Sequence, residues 1–192
     1  NNTDSIYSQI IPVEYPKVGE TPSACRVGVV GLSDTETTWI DIPGKAHQNY
    51  IVRMEFIPET HKLLIQQLNR KQNHSKLYVA DASEGSARVI YEESDEAWVD
   101  IFQIGNRYAI DYTNSFIFLE KTNSILWASE KDGWRHLYRV SLEGKPEVLI
   151  TKGDFDVIDL KHVNAKKGEV YYLASPDNAT QQYLYKTKLN GK

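Results

Sequence analysis

The run GDFDVID at 153–159 holds three carboxylates, Asp154, Asp156 and Asp159. Carboxylate oxygens are the ligands that hard cations such as calcium take. On a strand Asp154 and Asp156 would share a face, because side chains alternate with a period of two. The plainer task for aspartates at the edge of a strand is to cap turns with their side-chain oxygens, and that reading is preferred. Glu92 and Glu93 form a second acidic pair. Neighbours on a strand point to opposite faces, so this pair reads as a solvated edge that discourages unwanted strand pairing.

The remaining reactive side chains do not assemble into a known machine. A serine hydrolase lifts its nucleophile on a strained Gly-x-Ser-x-Gly turn, and no such string occurs; Gly85-Ser86 lacks the context. The histidines, His47, His61, His74, His136 and His162, show no His-x-x-x-His spacing and have no cysteine partners, so a zinc site is not expected. No catalytic residue, metal or cofactor is assigned. Trp39, Trp98, Trp127 and Trp134 could form a sugar-stacking platform, but packing between repeated units explains them at least as well. Arg70 in LNRKQN and Arg135 in DGWRH fall in turns between strands. Either could bind a carboxylate, although holding loop carbonyls is the commoner role.

The elements that position these residues are repeats. LYRVSLEGK at 137–145 recurs as LYKTKLNGK at 184–192, and a looser copy, LYVADASEG, starts at Leu77. Each follows an apolar run: LLIQQL at 63–68, ILWAS at 125–129 and YYLAS at 171–175. The offsets between copies are 60 and 47 residues. About 40–50 residues per four-stranded unit is the spacing of β-propeller blades, so the first interval should contain an insertion. The predicted fold is all-β, a partial β-propeller of about three to four blades of antiparallel sheet. Residues 1–24 read as an extended lead-in and 25–45 as the end of a blade. Blades follow at 49–94 and, with the insertion, at 96–152, then an incomplete one at 154–192. AWVDIF at 97–102 should open the third unit, with Trp98-Val99-Asp100 matching Val157-Ile158-Asp159. QIGNRYAIDYTNSFIFLEK at 103–121 should add a hairpin or an elongated strand pair. ETHKLLIQQLNRKQN at 59–73 has some helical spacing, yet its match to the other second strands favours a strand. An incomplete propeller should expose apolar blade faces and self-associate.

Composition agrees. With 41% hydrophobic and 25% charged residues the chain is globular rather than disordered. Twelve Tyr and four Trp suit pleated, half-buried surfaces. A net charge of −4 gives no case for nucleic acid or anionic membrane as partner. Cys25 is the single cysteine, so no internal disulfide can form. No apolar run is long enough to span a bilayer, and no signal-peptide pattern occurs. The only methionine is Met54, which implies processing or excision from a longer polypeptide. Sequons at Asn1, Asn73 and Asn178 carry little weight.

Five segments carry a resemblance in order along the chain: YPKVGE at 15–20, LNRKQN at 68–73, AWVDIF, ASEKDGWRHLY at 128–138 and ITKGDFDVIDL at 150–160. Together they resemble the dipeptidyl peptidase IV family of the prolyl oligopeptidase clan, most of all a bacterial member. The resemblance implies a serine exopeptidase that releases N-terminal dipeptides with Pro or Ala second. It implies an N-terminal β-propeller that gates and orients peptide, followed by an α/β-hydrolase domain. This chain would be a non-catalytic part of that propeller, because the family's triad lies in the later domain. Its partners would be the remaining blades, the hydrolase domain, the peptide substrate and, as one assembly state, a second copy. The location implied is periplasmic or secreted. The family's acidic pair for the substrate's free amino end lies upstream of the YPK segment, and Glu92-Glu93 does not match its context. Phe102 matches the aromatic that projects toward the substrate in relatives; a core role for its ring is the competing reading. A stand-alone ligand- or protein-binding module is the alternative function.

Overall fold

The computed structural model describes residues 4, 6–15, 17–33, 35–101 and 116–192. Among them, thirteen strands form four antiparallel sheets. The first sheet pairs β1 (Gly28–Val30) with β2 (Thr37–Trp39). The second runs in order through β3 (Asn49–Phe56), β4 (Lys62–Asn69), β5 (His74–Asp81) and β6 (Ala87–Ser94). The third holds β7 (Ile117–Leu119), β8 (Ser124–Ser129), β9 (His136–Ser141) and β10 (Val148–Leu149). The fourth holds β11 (Val157–Asn164), β12 (Glu169–Ala174) and β13 (Tyr183–Lys188). Every pairing is to the next strand in sequence, as in propeller blades.

Side-chain alternation explains how these sheets stack. On β4, Leu63 and Ile65 enter a core shared with Val27 and Ile40 of the first sheet's segment, while Leu64 enters the core shared with the third sheet. On β8, Ile125 and Trp127 face the second sheet and Leu126 faces the fourth. Central strands buried on both faces read as continuous apolar runs. This is why the 59–73 segment, with its helix-like spacing, is the strand β4, with six consecutive buried residues. Each fully buried aliphatic or aromatic side chain contributes about 1.5–3 kcal/mol, so the three inter-sheet cores carry the fold.

The repeats keep one register. Tyr78 lies opposite Ile65, Tyr138 opposite Trp127 and Tyr185 opposite Tyr172. Each Tyr packs toward the preceding sheet, and Leu77 and Leu137 pack toward the following one. Leu77 and Leu137 are each 1% exposed, whereas Leu184, on the outer face of the fourth sheet, is 65% exposed.

One detail differs from expectation. AWVDIF does not supply the third sheet's first strand, because residues 97–101 form no strand and the strand beside β8 is β7. The Val99 amide donates to Gln72 O (2.9 Å) in the β4–β5 turn, and the Val157 amide donates to Arg135 O (2.7 Å) in the β8–β9 turn. Each bond ties its segment to the central hairpin of the preceding sheet. The rest of the expected hairpin, 103–115, lies outside the described residues.

Gly85 illustrates how closely the sheets approach. Its φ is 76°, and a Cβ there would sit 2.4 Å from the Trp39 carbonyl oxygen. The Gly85 carbonyl also accepts the Asp41 amide at 2.8 Å. Gly85→Ala should cost about 1–3 kcal/mol through backbone strain and the lost approach. Gly133→Ala, with φ 96° but nothing within 4 Å, should cost only the strain, about 1 kcal/mol. Urea denaturation of both variants checks this; equal losses would show that the close approach contributes nothing.

Candidate functional site

The seam between the second and third sheets gathers the densest polar and aromatic chemistry among the described residues. At its centre Trp127 stacks on Phe116, with ring centroids 6.2 Å apart at 15°, and meets Tyr91 edge-on at 5.8 Å. A bulge between Ile51 and Arg53 on β3 places Arg53 opposite Gln66, on the face toward the third sheet. The Arg53 guanidinium lies 5.6 Å from the Phe116 centroid and 5.8 Å from that of Trp127. Burial pushes its pKa down to about 10, so it stays charged at neutral pH, stabilised by the ring faces. Two residues on, Glu55 accepts the Phe116 amide at 3.1 Å.

At the outer end of the seam Glu93 on β6 collects donors from both sheets. It accepts Tyr91 Oη at 2.9 Å, Ser129 Oγ at 2.7 Å and, at 3.5 Å, Trp127 Nε1. Burial first, and then the neighbouring Glu93 charge, push the Tyr91 phenol far up. Lys131 pairs with Glu147 and places its ammonium 4.7 Å from the Tyr138 ring centroid and 5.3 Å from that of Tyr91. Its hydrogen bond holds the Glu147 carboxyl below the usual range. A phenol, an alcohol and an indole aimed at one carboxylate join two sheets; they form no nucleophile–base pair. Glu93 is therefore not the solvated edge expected of it, because the third sheet supplies Ser129 and Trp127 to it. Glu92, on the opposite face, is exposed and pairs with His74 (2.5 Å) and Lys76 (3.3 Å).

The other expected positions are scattered. Asp156 accepts the Arg135 amide at 2.7 Å, capping the β8–β9 turn, and Asp159 pairs with Lys161 at 2.6 Å. Among the described residues no three His, Cys, Asp or Glu side chains converge as metal ligands would. Arg70 donates to the carbonyls of His47 (2.9 Å) and Ser23 (2.7 Å) and stacks 4.1 Å over Tyr50, so it holds loop carbonyls. The Arg135 side chain reaches Glu130 at 3.3 Å. Trp127 is core, Trp39 lies half-exposed under Arg26, and Trp98 and Trp134 are exposed. Among the described residues no ring contact joins two of the four. Phe102 lies outside the described residues. Val99, three residues before it, is buried, and the two amides ahead of Val99 bind Asp95 Oδ1 at 2.7 and 3.0 Å.

Arg53, Glu55, Glu93 and Phe116 carry no sequence signal as a group. Their convergence depends on the β3 bulge and on residues more than sixty positions apart.

Carboxylates also set an expected acid response. Hydrogen bonds from His74, Lys131 and Lys188 are the largest causes that hold Glu92, Glu147 and Glu169 below the ordinary carboxylate range. A lowered folded-state pKa gives stability that is present above the unfolded value, about 4.3, and lost as pH falls through the folded values. The urea midpoint should therefore hold from pH 7 to about 5 and decline below about 4.5. A midpoint unchanged down to pH 3 would exclude these pairs as contributors.

The geometry has counterparts of known kind. The family described as "Dipeptidyl peptidase IV (DPP IV) N-terminal region" matches residues 1–192. A probable dipeptidyl peptidase 4 of Emericella nidulans is 26% identical over 185 residues, covering 93% of this chain and 23% of the relative. A probable dipeptidyl-aminopeptidase B of Aspergillus niger is 23% identical over 192 residues, covering 96% of this chain and 21% of that protein. The crystal structure of Porphyromonas gingivalis dipeptidyl peptidase 4 superposes with a TM-score of 0.78 at 26% identity, over 99% of this chain and 25% of that one. The chain thus spans about a quarter of the length of these relatives. With the family matched from the first residue to the last, on a fold of stacked antiparallel blades, the chain belongs to the dipeptidyl peptidase IV N-terminal region family.

Proposed function

We propose that this chain is a non-catalytic section of the β-propeller of a serine-type exopeptidase that releases N-terminal dipeptides with Pro or Ala in second position. The blades gate and orient peptide for an α/β-hydrolase domain of the same longer protein, and Phe102 packs against the substrate's second side chain. We place that protein in the periplasm or outside the cell. The observation that carries this reading is the family match over all 192 residues, joined to a TM-score of 0.78 with a dipeptidyl peptidase 4. The seam chemistry fits a scaffold role, because its carboxylates and rings bind one another across the sheets.

The test is hydrolysis of a Gly-Pro chromogenic dipeptide by this chain and by the longer gene product. Activity in the long protein and none in the chain is expected. In the long protein Phe102→Ala should lower kcat/KM by about 10-fold or more, through lost orientation of the bound peptide. A folded long protein that leaves Gly-Pro substrate untouched would overturn the peptidase reading. An unchanged kcat/KM in Phe102→Ala would return that ring to the core.

A further inference from the structure

We draw no further inference here: the strongest candidate, the Arg53–Glu55–Phe116–Trp127 cluster in the seam between the second and third sheets, carries nothing because it belongs to the site already described.

Discussion

Trp127→Ala should remove about 3–5 kcal/mol of stability, the range for deleting a large buried aromatic. The indole is 6% exposed and lies in the core shared by the second and third sheets. Truncation leaves a cavity that neither sheet can close, because both are held in register by ladders of hydrogen bonds. It also strips one ring face from Arg53, whose buried charge depends on that stack for part of its compensation. Glu93 loses its long indole contact but keeps Tyr91 and Ser129. Trp39→Ala is the control, because that ring is 52% exposed; its loss should stay within about 1 kcal/mol. Urea denaturation followed by far-UV circular dichroism reads both. Equal losses for the two variants would mean that the seam adds nothing to the stability of the separate sheets.

The same measurement can apportion the seam. Trp127→Phe keeps a ring in the stack but removes both the indole donor and part of the buried ring, so its loss sets an upper bound on the 3.5 Å contact to Glu93. That contact is long, and its removal should cost under about 1 kcal/mol. The ring therefore dominates, and the carboxylate acts mainly through Tyr91 and Ser129.

Repetition makes the architecture legible in the sequence. Tyr78, Tyr138 and Tyr185 recur because one strand position always meets the preceding sheet, and Leu77 and Leu137, one residue earlier, meet the following one. A period of two, buried on both sides, leaves little freedom for that pattern. What sequence could not supply was the contact partner. Glu93 looks like any acid at a strand end until Ser129, 36 residues away, is folded onto it. Arg53 sits in an ordinary alternating run, and only the bulge before it decides which sheet its guanidinium meets. The strand ahead of β8 is not evident in the sequence for a related reason. AWVDIF has strand composition, yet Asp95 turns the chain through two side-chain-to-backbone bonds and Val99 is spent on the preceding turn. Such local side-chain bonds compete with ladder formation.

His136→Ala should be the second most damaging change, with an expected loss of about 2–4 kcal/mol. The ring is 2% exposed at the junction of the third and fourth sheets. Nδ1 lies 3.1 Å from Thr151 Oγ1, which also accepts the Leu137 amide at 3.0 Å. Nε2 donates to Gly153 O at 3.0 Å. Both ring nitrogens are used, and the ring edge meets Phe155 at 5.6 Å, itself stacked toward Tyr172 and Tyr185. Alanine removes both hydrogen bonds, leaves the Gly153 carbonyl without this donor, and opens space beside Phe155. His162→Ala is the matched control, since that ring is exposed and lies 5.9 Å from the Tyr171 ring; about 0.5 kcal/mol is expected there. Hydrogen exchange adds a second readout. If His136 clamps the turn that leads into β11, the Val157 amide, bonded to Arg135 O, should exchange faster in His136→Ala than the amides of β4 do. Uniform acceleration across all four sheets would instead assign the residue to global stability and remove its specific role at this junction.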